Sequence, residues 1–312
     1  MALFSRASTT DDVSLRARVW GCRGSLSTPG EATVGVGGNT ACIEVRTPDE
    51  GLLILDAGTG IRQLGAHVEQ DRPVHVLLTH LHLDHVEGLR FFAPIWHTGG
   101  DVHIWGPPSH RHTLEERIAR VFSPPLFPVE LADVPANVSF HDIPDRTWEL
   151  EGVRVDAQTV SHPGPTVGYR LSLGGCTIAY LPDHEPALGV DLAEATDISG
   201  HALAEGVDLL FHDAQFSESE YPSRVGWGHS SVAHAVEFAQ LSNVSRLVLF
   251  HHDPGRSDDE VDGLVERARE LWTGGAGELP VAAREGMSFE LPWGGDSLVA
   301  SHEDRAPRLR AA

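Results

Sequence analysis

In "LLTHLHLDHVEG", residues 77 to 88, three histidines and an aspartate occupy six positions directly after an apolar run. Imidazole and carboxylate are the groups that hold zinc, manganese or iron in hydrolytic centres. On an extended segment alternate side chains share a face, so His80, His82 and Asp84 should converge while Leu81 and Leu83 turn into the core. His85 breaks the alternation and could reach the same pocket from a second direction if the chain turns into a helix there. One segment could then serve two ions. Two ions about 3.5 to 4 Å apart need roughly three or four protein ligands each, so four residues are too few.

Further candidates stand at other strand ends: His162 after "VDAQTVS", Asp183 after "IAYLP" and His251 after "RLVLF". Any one of them taken alone could be a polar group satisfying a turn. Their recurrence beside the first cluster points to a single metal-bearing rim. The chain has 19 histidines; most, including His75, His103 and His141, are scattered singly and read as ordinary residues. His184 and His252 sit beside candidate ligands, where alternation should turn them away.

These residues need a scaffold of strands. Apolar, β-branched runs bounded by Gly, Pro or Asp recur at 16–20, 41–45, 52–56, 74–80, 102–106, 153–160, 167–173, 176–181, 207–212, 246–251 and 287–291. Helical periodicity appears at 60–70, 109–122, 230–242 and 257–272, the last opening on Ser257 with acids in its first turn. So many strands need two layers of sheet, and interspersed helices make the architecture layered α/β. The expected division is one domain over 15–295 between frayed polar tails at 1–14 and 296–312, with the Pro-rich stretch 123–137 as an irregular surface connection, a candidate rim over the site.

Composition narrows the partners. Lys+Arg 23 against Asp+Glu 45 gives a net charge of -22, which disfavours a broad surface for a long nucleic acid. Cys22, Cys42 and Cys176 are widely spaced and form no CxxC pair, so neither a disulfide framework nor a thiolate zinc site is expected. No window approaches the ~20 apolar residues of a membrane span, and the expected compartment is the cytoplasm.

"THLHLDH" resembles the HxHxDH signature of the metallo-β-lactamase superfamily, and His162, Asp183 and His251 follow in the order that superfamily uses. The resemblance runs from "GGNTACIEV" through "LLILDAGTG" to "EGMSFEL" and implies a four-layer αββα sandwich. It also implies two divalent ions, Zn2+ with Mn2+ or Fe2+ as alternatives: one on His80, His82 and His162, the other on Asp84, His85 and His251, with Asp183 bridging. His at 85 favours the dinuclear hydrolase branches over the antibiotic-cleaving lactamases.

"VDLLFHDAQF", "GWGHSS" and "SRLVLFHHDP" are similar to the phosphodiesterase branch that contains tRNA 3'-processing endonucleases and phosphoribosyl cyclic phosphate phosphodiesterases. That similarity implies attack by a metal-bridging hydroxide, with His229 as general acid, Asp213 orienting its ring, and Asp84 doubling as ligand and proton acceptor. Among the alternatives from the residues alone, His229 caps a helix near Ser230 and Asp213 satisfies a turn. The expected substrate is a small or cyclic phosphodiester. Only a strand pair's worth of chain separates His162 from Asp183, where the tRNA endonucleases insert their substrate-gripping arm. The branch often forms homodimers. Alternatives are thioester, lactone or lactam hydrolysis on the same ions, for which His229 is dispensable, and a noncatalytic sensor of the same fold.

Overall fold

A computed structural model describes residues 13–69, 72–194, 197–273, 277–292 and 299–302. Strands β1 (Val13–Gly21), β2 (Cys42–Arg46), β3 (Leu52–Leu55), β4 (Val74–Leu77), β5 (Asp101–Gly106), β6 (Asn137–Asp142), β14 (Met287–Pro292) and β15 (Val299–His302) form one mixed sheet in the order β15-β14-β1-β2-β3-β4-β5-β6. The other comprises β7 (Trp148–Leu150), β8 (Val153–Thr159), β9 (Val167–Leu173), β10 (Cys176–Leu181), β11 (Leu209–Asp213), β12 (Arg246–Phe250) and β13 (Glu278–Ala282), in the order β13-β12-β11-β10-β9-β8-β7.

The β3 run "LLIL" shows why the sheets stack. Leu53 and Leu55 join the cluster that holds Val155, Leu171 and Ile178 of the second sheet, whereas Leu52 and Ile54 join a second cluster. A strand buried on both faces reads as a continuous apolar run. The second cluster is covered by α1 (Ile61–Gly65) and α3 (Leu114–Ala119). The second sheet carries α4 (His201–Ala204), α5 (Val232–Leu241) and α6 (Asp258–Leu271). The result is the αββα sandwich that the sequence led us to expect. Ser257 caps α6 through a reciprocal capping box with Glu260.

Strand direction builds the rim. In the first sheet β3, β4 and β5 are parallel. In the second, β10, β11 and β12 are parallel, and β8 runs the same way because both β8 and β10 are antiparallel to β9. The carboxyl ends of β8, β10, β11 and β12 therefore open on one edge, where sheets of this kind place ligands.

Several expectations shift. The strand expected over 74–80 stops at Leu77, and Leu83–Val86 form a helical turn, α2. Extended alternation therefore ends at His82, and Leu83 is exposed instead of turning into the core. β1 begins inside the stretch 1–14, and β15 lies inside 296–312, where pairing with β14 supplies the backbone partners that its short sequence did not advertise. Residues 1–12 and 303–312 lie outside the described residues. β6, β7 and β13 were also unanticipated; β6 has no fully buried residue and so no apolar run to betray it. Within 123–137, Leu131 is buried and Phe127 packs against Phe91, Trp96 and Phe122, so this stretch covers the second cluster.

Candidate metal centre

The seven residues expected to bind metal meet on the rim. Donor atoms of His80, His82 and His162 all lie within 4.8 Å of one another, as do those of Asp84, His85 and His251. Asp183, just past β10, stands between the two sets. Its Oδ1 is 3.0 Å from His85 Nε2, and its Oδ2 is 3.3 Å from His251 Nε2, 3.7 Å from His162 Nε2 and 3.8 Å from His80 Nε2. Asp84 Oδ2 lies 3.3 Å from both His85 Nε2 and His251 Nε2. α2 makes this possible, because its turn swings Asp84 and His85 toward the pocket that His80 and His82 reach from extended backbone.

The rings are aimed from behind. Asp56, just beyond β3, lies 2.8 Å from His85 Nδ1, accepts the Thr79 backbone N–H at 2.7 Å and accepts the Tyr180 hydroxyl at 3.0 Å. Thr79 Oγ1 lies 3.1 Å from His80 Nδ1, and the Gly228 carbonyl lies 2.8 Å from His162 Nδ1. In each case Nδ1 is occupied and Nε2 faces inward, the outer-partner arrangement that orients metal-binding histidines. Asp56 and His251 adopt φ of 60° and 58°. Non-glycine residues held there cost about 1–3 kcal/mol and persist where surrounding contacts over-determine them. Gly24 is required beside His251, because a Cβ there would meet the ring at 2.3 Å.

These donors fit a cation. His80 Nε2 is buried with no hydrogen-bond partner, and the 3.0 Å contact of His85 Nε2 with Asp183 Oδ1 lacks hydrogen-bond geometry; a buried polar group left so costs about 1–3 kcal/mol unless something binds it. Burial pushes the His80, His82 and His162 imidazoles down, favouring the neutral form that ligates. Burial alone would raise the Asp183 and Asp84 carboxyls, but the surrounding histidines outweigh it and hold both well below the usual range. His85 is pushed up, because Asp183, Asp84 and Asp56 overcome its burial. A site with this much convergent negative charge calls for positive charge at its centre.

Asp213 and His229 form a dyad against this cluster. His229 Nδ1 is 2.6 Å from Asp213 Oδ2, and its ring stacks on His251 at 4.9 Å and meets His162 edge-on at 5.1 Å. Asp213 Oδ1 accepts the backbone N–H groups of Ser230 at 3.0 Å and Gln215 at 3.1 Å, so one oxygen satisfies the turn and the other meets His229. Burial opposes charge on His229, but Asp213 overcomes it and raises the group to about 9. The cap of α5 is Ser231, not His229. His184 and His252 turn away as alternation requires, His184 Nδ1 to His212 Nε2 at 2.9 Å and His252 Nε2 to the Ala283 carbonyl at 3.1 Å.

Sequence reasoning missed Asp56 and the backbone N–H of Ser25, which donates to Asp84 Oδ2 at 2.6 Å. Asp56 carried a signal: it ends the apolar run "LLILD", by the same rule that singled out Asp183 and His251. Ser25 carried none, since a backbone donor has no side-chain signature.

A model of the beta-lactamase superfamily domain matches residues 52–252. Ribonuclease Z of Porphyromonas gingivalis is 26% identical over 77% of this chain and 90% of its own length. Among solved structures, the metallo-beta-lactamase fold protein YhfI of Bacillus subtilis superposes with a TM-score of 0.64 at 18% identity, covering 88% of this chain and 98% of its own. A diphosphatase from the PhnP family gives 0.62 at 19%, over 88% and 96%.

Proposed function

The chain belongs to the beta-lactamase superfamily, and from that premise we propose that it is a metal-dependent phosphodiesterase acting on a small or cyclic phosphodiester, with His229 as its general acid. The ribonuclease Z relative and the diphosphatase neighbour support phosphoester chemistry. The superfamily implies divalent metal, and we assign two ions: one to His80, His82 and His162, the other to Asp84, His85 and His251, with Asp183 shared. Zinc suits this set of imidazoles and carboxylates, and manganese and iron are the alternatives. When bound, such ions supply a water nucleophile at neutral pH and neutralise the non-bridging phosphate oxygens.

What remains for the protein is the leaving alkoxide, which needs a proton. The observation that carries the reading is the 2.6 Å contact between His229 Nδ1 and Asp213 Oδ2. With Nδ1–H given to Asp213, the proton on Nε2 is the one available for transfer. Asp213 cannot swing away, because two backbone N–H groups hold its other oxygen. Asp84 is stabilised as the anion by its neighbours and by Ser25, so it suits holding a cation better than accepting a proton.

A small substrate is favoured by the acidic chain and by the interval from His162 to Asp183, which β9 and β10 fill. The ribonuclease relative makes RNA the competitor to test. The metal-loaded protein should be assayed against cyclic nucleotides, cyclic ribose phosphates, structured RNA, thioesters and lactones. Fastest turnover of a small diester is expected; faster cleavage of RNA would overturn the substrate size, and cleavage of acyl substrates alone would overturn the phosphodiester reading.

A further inference from the structure

Glu185 lies two residues past Asp183 and is fully buried, yet no part of the chemistry above uses it. Its carboxylate faces only donors. Oε1 accepts the Tyr221 hydroxyl at 2.8 Å and the Gly226 N–H at 2.9 Å; Oε2 accepts the Gly228 N–H at 2.7 Å. Its own N–H donates to the Ser161 carbonyl at 2.9 Å. A buried carboxylate is costly unless its lone pairs are filled. Every donor that fills them comes from 221–228, the segment leading into His229, and its backbone bond goes to the residue before His162.

We infer that Glu185 is a positioning residue that clamps the 226–228 loop, and through it sets both the His162 ring and the His229 acid. The path is short. Gly228 offers its N–H to Glu185 and its carbonyl to His162 Nδ1, so one peptide pair transmits the carboxylate's position to the imidazole. The glycines are needed for this: Gly226 and Gly228 have φ of 85° and 89°, and a Cβ on Gly228 would lie 2.3 Å from His162 Nδ1. His229 follows directly, with Asp213 receiving its ring from the other side. A residue that only stapled a surface loop would have no need to grip Gly228, the residue that carries the His162 acceptor.

The inference rests on the proposed two-ion centre, and its tests separate the two. Amide exchange on the wild-type chain needs no variant: the Gly226 and Gly228 N–H groups should exchange at least about a hundredfold more slowly than an unstructured amide, and free exchange of either would overturn the clamp. Glu185→Gln places an NH2 against donors that need an acceptor. It should lower kcat by about 10- to 100-fold with KM within about twofold, and weaken one of two zinc ions by a similar factor in chelator competition. A folded Glu185→Gln chain with unchanged kcat and zinc affinity would overturn the inference. Tyr221→Phe leaves both backbone bonds and should change kcat by less than about threefold; a larger loss would put the hydroxyl in charge and overturn the backbone clamp. If the wild type cleaves no phosphodiester, the functional reading fails while amide exchange and zinc competition still decide the clamp.

Discussion

Histidines gather at both ends of β4, and among the described residues only one gathering brings the donor set for a metal ion together. Beyond its carboxyl end, His80, His82 and His85 join His162 and His251 around Asp84 and Asp183, with ring nitrogens aimed at a common space. At its amino end, His75 stacks on His103 at 4.9 Å and His103 on His141 at 5.2 Å. There the nitrogens face sideways: His103 Nδ1 lies 3.0 Å from His141 Nε2, and Trp105 donates to His75 Nδ1 at 3.4 Å. Glu151 and Asp101 approach from different sides, at 3.6 Å from His75 and 3.5 Å from His103. Histidine number does not distinguish the two ends. What does is whether the Nε2 groups converge on shared carboxylates, as the rings backed by Asp56, Thr79 and Gly228 do at the rim. At the stacked end, Trp105 and His141 also hold Nδ1, but Nε2 of His75 faces Glu151 and Nε2 of His103 faces Asp101 separately.

That contrast can be broken from either end. The largest effect should come from Asp183→Asn, which removes the carboxylate lying between both ligand sets: phosphodiesterase turnover should fall on the order of 10³-fold or more, with zinc content below two per chain by elemental analysis. Next, His229→Ala should lower turnover of alkyl diesters about 10²- to 10⁴-fold while leaving zinc content intact; loss of zinc would make His229 a ligand. Asp56→Asn, which alters the support behind His85 and, through Thr79, behind His80, should cost about 10- to 100-fold in metal affinity or rate. His103→Ala, at the stacked end, should leave zinc content unchanged and turnover within about twofold.

The smallest effect concerns pH and belongs to the stacked end. Burial, helped by neighbouring histidines, lowers the His75 and His141 imidazoles. The unfolded chain therefore binds protons that the folded chain resists, so these groups cost stability as pH falls below about 6.5. The metal-free protein should lose Tm between pH 7.5 and 5.5, and His75→Leu should recover about 2–4 °C of that loss. An identical loss in the variant would remove His75 from the account.

The sequence made most of the rim legible, because a ligand needs a chemically distinctive side chain and the carboxyl ends of buried strands announce themselves as apolar runs. The long strands and α6 followed from the same runs and from the acids after Ser257. Less visible was anything done by backbone. The Ser25 and Gly228 contacts have no side-chain type to mark them, and α2 is too short for a period, so Asp84 was placed on an extended strand that ends at Leu77. β6 and β15 went unseen because edge pairing needs little burial. Asp56 was missed for another reason: its carboxylate sits behind the His85 ring and outside the donor cluster, so its place at the end of "LLILD" showed where it sits and not what it does.

The central claim is that a metal-dependent phosphodiesterase relies on His229 to protonate its leaving group. It is tested most directly by measuring kcat across aryl and alkyl phosphodiesters of graded leaving-group basicity in wild-type and His229→Ala protein of equal zinc content. A shallow dependence in the wild type and a steep one in the variant is expected, because the better leaving groups need no acid. Parallel dependences in the two proteins would contradict it.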